Sequence, residues 1–437
     1  MNHPELYLRT LPAVRERTRF VLAKAEQNKL TNFDVDLSKF GRVVEYVCGI
    51  IRRDWGDDYS QIPPHGRAQQ FDVGGVSRIE KLVRRWSGVD AREIARRLVD
   101  LYVVSVLIDA GAGNKWKFIE PIGGDAHGRN AYGRSEGLAV ASLYMFESGL
   151  FSSDMSNPYQ VDSGGLKSLK MDRFEVGVQS SDENLLAGVS GRAEILQRLG
   201  VALETGPKYF GASARPGNML DYLQAPATTG TTVVSVLTVW DVIMNGFGPV
   251  WPKGRTTLNG VALGDAWECS SMPDGEEWEH IVPFHKLSQW LCYSILVPME
   301  QYGGIKFIDK QVQTGLPEYR NGGLFVDTGV LSLKPHVRAQ GMLNYDVLKV
   351  DKEDDDVPVF LPEDDVIVEW RAVTVGLLDM LLPAVNEKLG VTGTKDELIL
   401  AQLLEAGSWL GGRELAARIR PGTRGPPIAI KSDGTLF

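Results

Sequence analysis

Two carboxylates and an arginine lie within ten residues of one another in residues 315–329. They are Glu318, Asp327 and Arg320, and Tyr319 precedes the arginine. Proline and glycine punctuate the segment, which predicts a loop, and polar loop residues held between core elements are frequent catalytic groups. A carboxylate pair can divide acid, base and charge-stabilising work when its surroundings separate the two pKa values. A Glu318–Arg320 ion pair that locks a turn explains the same residues equally well.

Two predicted helix starts supply basic groups. A glycine-rich loop, residues 122–134, leads to a helix that begins near Arg134 and Ser135. Backbone N–H groups, a hydroxyl and a guanidinium at such a start suit an anion, particularly a phosphate. A capped helix with glycine for close packing is the alternative. Lys286 and Gln289 are i, i+3 neighbours and share one face of a second helix, where a lysine is usually solvent-exposed.

A further pair of charges, Glu369 and Arg371, interrupts an otherwise apolar helical stretch. Charged residues in such a place are rarely buried unless they are paired. We expect a partner for this pair that is either purely structural or part of residues 315–329.

Several common kinds of site are missing from the sequence. The closest histidines, His280 and His285, are five residues apart, whereas a zinc pair on one helical face is four apart. Cys48, Cys269 and Cys292 have no metal-ligand spacing, and so few cysteines favour a reducing compartment. Nucleophile-elbow, phosphate-loop and dinucleotide fingerprints do not occur. The sequence therefore predicts chemistry that uses neither a metal nor a cofactor.

Charge and hydropathy limit the partners. The chain has 437 residues with 47 Lys and Arg against 56 Asp and Glu, a formal net charge of −9. A dedicated nucleic-acid binder normally carries a basic stripe instead. The N-terminus lacks the apolar stretch of a secretory signal. The most apolar runs, residues 101–108 and 233–243, are shorter than the roughly 20 residues of a membrane span. We expect a cytoplasmic protein that binds neither nucleic acid nor a membrane.

Apolar periodicity predicts a mainly α fold. Asp90 is expected to cap a helix that runs to residue 108 and, being apolar on nearly all sides after Leu98, lies in the core. Residues 228–239 fit a strand or a buried helix. With no repeat and no long linker, we predict one large helical domain with few short strands, residues 1–420, followed by a surface arm, residues 421–437. The predicted helices cover residues 14–30, 36–50, 90–108, 135–146, 181–205, 278–300, 364–389 and 395–418.

Three segments carry a resemblance to a known family. They read Gly-Arg-Ser-Glu-Gly-Leu-Ala-Val-Ala-Ser (133–142), Glu-Tyr-Arg-Asn-Gly-Gly-Leu-Phe-Val-Asp-Thr-Gly (318–329) and Val-Glu-Trp-Arg-Ala-Val-Thr-Val (368–375). The sequence resembles the uracil-catabolism protein 4 family of fungi and bacteria, long known only as a domain of unknown function, over nearly its whole length. The resemblance implies a role in pyrimidine degradation through a ribosylated, ring-opened urea, with other enzymes of that route as partners.

A weaker resemblance is to the queuosine-5′-phosphate glycosylases, which are mainly α-helical and related to helix-hairpin-helix DNA glycosylases. Four patches are similar in the same order. They are residues 134–141, 286–289, 317–320 and 369–372. The third corresponds to the loop that carries the glycosylase aspartate. Glutamate stands there in this sequence, and Asn-Gly-Gly follows the arginine instead of Val-Pro. Because a displacement of about 1 Å can cost a hundredfold in rate, Asp327 is an alternative catalytic carboxylate.

Together these features give one hypothesis, an N-ribosyl hydrolase that acts on a ribosylurea-like or pyrimidine-derived ribose 5′-phosphate. Glu318 would stabilise the cationic sugar and activate water, and Arg320 would orient Glu318. Lys286 and Arg134 would hold the phosphate. We also expect substrate contacts from the remaining candidates, which are Tyr319, Gln289, Ser135, Glu369 and Arg371. The rival predictions are an amidohydrolase that attacks the ring-opened ureide and a non-catalytic binding protein of the same route.

Overall fold

The structure, a computed structural model, describes residues 3–113, 115–121, 130–225, 231–251, 254–273, 275–350, 352, 354 and 356–431. Contacts divide the chain into two compact units. Of the described residues, those up to His65, Arg255–Lys286 and Gln311–Lys431 form the first unit, and those within Gly66–Gly254 and Leu287–Lys310 form the second.

Helices dominate the described residues, as the sequence predicts. In chain order they are α1 (Pro4–Tyr7), α2 (Leu11–Glu26), α3 (Phe40–Trp55), α4 (Arg67–Phe71), α5 (Arg78–Arg85), α6 (Ala91–Leu107), α7 (Arg134–Glu147), α8 (Ser163–Lys167), α9 (Met171–Gly177), α10 (Val189–Thr205), α11 (Pro207–Phe210), α12 (Met219–Gln224), α13 (Val236–Asp241), α14 (Lys286–Gln301), α15 (Tyr319–Asp327), α16 (Pro335–Leu348), α17 (Asp365–Leu389), α18 (Leu400–Leu403) and α19 (Trp409–Ile419). A π-helical turn, Leu404–Ser408, joins α18 to α19.

The strands are short and pair two by two. They are β1 (Phe33–Val35), β2 (Lys117–Ile119), β3 (Ala131–Gly133), β4 (Thr232–Ser235), β5 (Thr257–Leu258), β6 (Val261–Ala262), β7 (Ala266–Glu268), β8 (Ile281–Pro283), β9 (Ile305–Ile308), β10 (Leu331–Leu333), β11 (Val359–Phe360) and β12 (Ala429–Ile430). The first unit holds the pairs β1–β10, β5–β6, β7–β8 and β11–β12, and the second unit holds β2–β3 and β4–β9. Among these six pairs of described strands, β4–β9 and β11–β12 are parallel and the other four are antiparallel.

The core of the first unit is built around α17. Residues 366–378 of this helix are all buried, and it packs against α2, α3 and α15. A helix that is apolar all round is a core helix rather than a surface one. Pro383 lies inside α17 and does not end it.

In the second unit α6 takes the central place. Asp90 accepts a hydrogen bond from the backbone N–H of Glu93 at 3.0 Å, which confirms the predicted cap. Every residue from Leu98 to Leu107 is buried, as expected from the apolar pattern. In the described part of the segment 228–239, a strand, β4, runs directly into a helix, α13. The segment therefore contains a strand and a helix, but this helix is only partly buried because Leu237 and Thr238 are exposed.

The described part of the predicted surface arm, residues 421–431, belongs to the first unit. Strand β12 pairs with β11, and Ile428 beside it is fully buried. Residues 432–437 lie outside the described residues.

Candidate functional site

Glu318 stands at the start of a helix. Its Oε1 accepts hydrogen bonds from the backbone N–H groups of Arg320 at 2.8 Å and Asn321 at 3.0 Å. A side-chain oxygen in this place accepts hydrogen bonds from N–H groups that have no partner within the helix. A negative charge there is stabilised by the positive end of the helix dipole. The prediction of a loop over residues 315–329 is therefore wrong, since residues 319–327 form α15.

Glycine within α15 serves close packing rather than a turn. A Cβ atom on Gly322 would lie 2.7 Å from Cε2 of Trp370 in α17. On the neighbouring helix α19, a Cβ atom on Gly412 would lie 2.0 Å from the carbonyl oxygen of Arg320. These two glycines let α15 approach α17 and α19 closely, which fixes Glu318 on a rigid element.

The second carboxylate oxygen of Glu318 has no hydrogen-bond partner among the described residues, and its side chain is only partly buried. Burial raises the pKa of Glu318, and it outweighs the opposing effects of Lys286, Arg320, the Asn321 N–H group and His65, in that order. Glu318 is thus a fixed carboxylate with one oxygen bound, one available, and three basic side chains close enough to affect its charge.

Arg320 and Tyr319 pack on each other. The guanidinium carbon of Arg320 lies 4.9 Å from the ring centroid of Tyr319, and its Nη1 donates to the carbonyl oxygen of Arg424 at 3.2 Å. Glu318 and Arg320 form no ion pair. The turn-locking salt bridge that the sequence left open is thus absent between these two residues, and backbone capping holds the carboxylate instead.

Asp327 occupies the other end of α15 and has different surroundings. Arg420 donates to both of its oxygens, from Nη1 to Oδ1 at 2.8 Å and from Nη2 to Oδ2 at 2.5 Å. The two side chains are 5% and 9% exposed. This two-pronged geometry is the preferred match between a guanidinium and a carboxylate, and it fits a structural role better than a catalytic one.

Lys286 begins α14 and is anchored through its backbone. Its N–H donates to Oδ2 of Asp265 at 2.9 Å. Arg371 binds the same carboxylate at 2.9 and 2.7 Å, and its guanidinium carbon lies 4.0 Å from the ring centroid of Phe284. Although burial opposes ionisation, Arg371 and the other donors hold the pKa of Asp265 well below its usual range. Arg371 therefore contributes to the site indirectly, by fixing the Asp265 carboxylate that holds the first residue of α14.

The turn into α14 is strained. His285 has a φ of 47°, in the left-handed region that residues with a Cβ seldom adopt. Its buried ring Nε2 lies 2.8 Å from the carbonyl oxygen of Leu8, and its N–H donates to the carbonyl oxygen of Asp265. Such a conformation costs about 1–3 kcal/mol and persists only where neighbours hold it. The surrounding bonds thus set the direction in which Lys286 leaves the turn.

Glu369 is structural in its contacts. It accepts hydrogen bonds from the backbone N–H groups of Thr31 and Asn32, both at 2.7 Å, and from the hydroxyl of Ser271. Burial raises the pKa of Glu369. Its partners lie in the first unit but outside residues 315–329, so the structural partner that the sequence left open is the one observed.

Three other predicted residues belong to the second unit. Arg134 is the first residue of α7 and has a φ of 54°. The carbonyl oxygen of Ser135 accepts a hydrogen bond from Nη1 of Arg67 at 3.1 Å. Gln289 is fully buried. A Cβ atom on Gly137 would lie 2.4 Å from the carbonyl oxygen of Tyr132, so the backbone can approach this closely only because the residue is glycine. The expectation that these residues bind substrate stays a prediction, and residues 122–129 of the glycine-rich loop lie outside the described residues.

Sequence reasoning missed His65 and Glu405. Nδ1 of His65 lies 2.5 Å from Oε2 of Glu405, and the two side chains are 5% and 17% exposed. The His65 N–H donates to the carbonyl oxygen of Ala401, and its ring centroid is 6.0 Å from that of Trp409. The partners are 340 residues apart. Glu405 lies in the π-helical turn, a feature common at functional sites.

The described residues contain no group of three or more His, Cys, Asp or Glu side chains placed to hold a metal ion. Their helices include none that is both long and apolar enough to cross a membrane.

Comparison with known proteins gives full-length matches. The family described as "Protein of unknown function (DUF1688)" matches residues 7–437. "Uracil catabolism protein 4" of Lachancea kluyveri is 48% identical over 449 residues, which cover 100% of both chains. "Protein urg3" of Schizosaccharomyces pombe is 44% identical over 432 residues, which cover 98% of both chains.

Proposed function

Because the chain belongs to the uracil catabolism protein 4 family, also described as DUF1688, we propose that it acts in uracil catabolism. Within that role we propose that it is an N-ribosyl hydrolase. The substrate would be a ribosylurea-like or other pyrimidine-derived ribose 5′-phosphate. Full-length similarity to a protein named for this route supports the role, and the geometry around Glu318 supports the reaction.

The main support for the proposed reaction is the hydrogen bonding of Glu318. Glu318 keeps one oxygen on the backbone N–H groups of Arg320 and Asn321 and leaves the other available. Two hydrogen bonds fix the carboxylate plane without using its whole capacity, since an ionised carboxylate has about four acceptor positions. A carboxylate fixed in this way is suited to act on a cation that forms transiently beside it.

Breaking a ribose C1–N bond creates such a cation. As the bond lengthens, C1 and the ring oxygen share positive charge, as in glycoside hydrolysis. The available oxygen of Glu318 would stabilise that charge and then accept a proton from the water that attacks C1. Preorganised charge aimed at the transition state is usually the largest single contribution to catalysis.

Basic groups near Glu318 suit the anionic end of the substrate. Lys286 and Arg320 both act on the charge of Glu318. Asp265 binds the backbone N–H of Lys286, so the point on the backbone from which the lysine side chain extends is fixed. We assign Lys286 to the 5′-phosphate, where a lysine serves as a point charge. Arg320 is assigned to orientation of the Glu318 turn.

The test is product analysis with purified protein. Pyrimidine ribotides and their ring-opened ribosylurea products are incubated with it, and released sugar phosphate, ammonia and carbamate are each measured. The proposal expects ribose 5-phosphate. Ammonia or carbamate without ribose 5-phosphate would indicate an amidohydrolase, and saturable binding without turnover would indicate a binding protein, so either outcome would overturn the proposed reaction.

A further inference from the structure

The His65–Glu405 pair is connected to Glu318 by a short chain of contacts within the first unit. Glu405 and Ser408 belong to the same π-helical turn, Leu404–Ser408. The Ser408 hydroxyl donates to Oδ1 of Asn321 at 2.8 Å, and the Asn321 N–H donates to Glu318 at 3.0 Å. The turn that positions the imidazole is therefore bonded to the residue that positions the carboxylate.

His65 lies within electrostatic range of Glu318. A positive charge on His65 favours ionisation of the Glu318 carboxyl, although less than Lys286, Arg320 and the Asn321 N–H group do. A carboxylate beside one ring nitrogen, here Glu405 beside Nδ1 of His65, fixes the orientation of the ring. Among ionisable side chains, histidine has an unperturbed pKa that best suits proton transfer near neutral pH.

The chemistry proposed above needs a proton donor that the residues assigned so far do not supply. A nitrogen of a urea or a pyrimidine derivative is a poor leaving group as an anion. Glu318 is assigned to stabilise the cation and to accept a proton from the attacking water, so it does not also protonate the leaving nitrogen in the same step. Arginine does not release its proton in proteins, which excludes Arg320, and Lys286 is assigned to the phosphate.

We propose that His65, held by Glu405, is the catalytic acid that protonates the leaving nitrogen, an inference that rests on the proposed N-ribosyl hydrolase function. As the C1–N bond breaks, its electron pair goes to nitrogen, which takes the proton of the imidazolium. Water adds to C1 and passes a proton to Glu318. The products are ribose 5-phosphate and a neutral nitrogen compound. Transfer of the Glu318 proton to solvent and uptake of one by His65 restore the starting state.

Two substrates separate an acid from a merely structural residue. One is the N-riboside 5′-phosphate that the wild-type protein cleaves in the product assay. The other is 4-nitrophenyl ribofuranoside 5-phosphate, whose leaving group departs as a stable anion and needs no proton. The variants are His65→Asn and Glu405→Gln, with His336→Asn in the exposed part of α16 as the matched histidine control.

We expect His65→Asn to lose about 10²–10⁴-fold of kcat on the N-riboside, the usual contribution of acid–base catalysis, and less than about 3-fold on the nitrophenyl substrate. Glu405→Gln should show the same selectivity with a smaller loss, which keeps the test valid where His65→Asn folds poorly. Glu318→Gln should lose activity on both substrates, and His336→Asn on neither.

Equal losses on both substrates for His65→Asn and Glu405→Gln, or no loss on either, would overturn the role of His65 and leave the hydrolase proposal intact. If the wild-type protein cleaves neither substrate, the hydrolase proposal itself fails, and the acid role fails with it.

Discussion

Helix α15 carries a carboxylate at each end, and the two ends differ. At the N-terminal end, Glu318 uses one oxygen to cap the helix and leaves the other available. At the C-terminal end, Asp327 has both oxygens bound by Arg420. Burial raises the pKa of Glu318 despite nearby basic groups.

The difference shows how residue type alone misleads. Both carboxylates are close in sequence to Arg320, and both were candidates for the same role. Whether a carboxylate can do chemistry depends on its unused acceptor capacity, and a two-pronged arginine uses most of that capacity.

Matched amide substitutions at the two ends should separate most clearly in turnover. Glu318→Gln removes the negative charge but keeps an oxygen for the cap, so kcat should fall about 10³-fold, or about 4 kcal/mol, while substrate binding remains. Asp327→Asn should retain kcat to within a few-fold. Steady-state kinetics and titration calorimetry on both proteins measure this, and the reverse pattern would transfer the catalytic role to Asp327.

In stability the order should reverse. Asp327→Asn leaves the guanidinium of Arg420 buried without its counter-charge, and breaking such a pair costs about 3–5 kcal/mol. The free energy of unfolding from urea titration measures this loss. Asp379→Asn is a control, because Asp379 pairs with Arg15 where both side chains are more exposed. A loss for Asp327→Asn no greater than that of the control would contradict the structural role.

A smaller effect should come from the contact behind the Glu318 cap. Ser408→Ala removes the hydroxyl that donates to Oδ1 of Asn321 and leaves that buried oxygen without its donor. A loss of about 1–2 kcal/mol in the free energy of unfolding is expected. Ser60→Ala removes only an exposed hydroxyl bond to Asp58 and serves as the control. Equal stability of the two variants would show that the π-helical turn does not support the cap.

The smallest effect concerns pH. Because the pKa of Glu318 is higher in the folded state than its ordinary value, the folded protein binds this proton more tightly than the unfolded chain does. This carboxyl therefore lowers stability as pH rises through its two pKa values. Glu318→Gln should match wild-type stability below about pH 4 and exceed it modestly at pH 7. Thermal unfolding at both pH values measures this, and a variant less stable than wild type at pH 7 would contradict the assigned shift.

The sequence predicts best where a local pattern decides the structure. Asp90 and the apolar residues after Leu98 predict α6 because capping and periodicity are properties of neighbouring residues. Helix α15 was predicted as a loop because Gly322 and its neighbour resemble turn residues. Gly322 is needed because Trp370 lies close to it, and Gly323 faces Pro427, and no local pattern contains either contact.

The site shows the same limit. That Arg371 is buried and paired follows from its apolar surroundings, but its partner Asp265 is 106 residues away. No local sequence pattern identifies His65 or Glu405 as a site residue, because the pair forms only when the folded chain brings them together. Glu318 was identified through a family resemblance and the density of polar residues, and neither reveals which of its oxygens is available.

We propose that the reacting bond is at ribose C1, beside Glu318. The most direct test is the secondary isotope effect on kcat/KM when the hydrogen on ribose C1 of the cleaved ribotide is replaced by deuterium. An oxocarbenium-like transition state predicts that the deuterated substrate reacts measurably more slowly. Identical rates for the two substrates, with consumption of the ribotide, would place the reacting bond elsewhere and contradict the account.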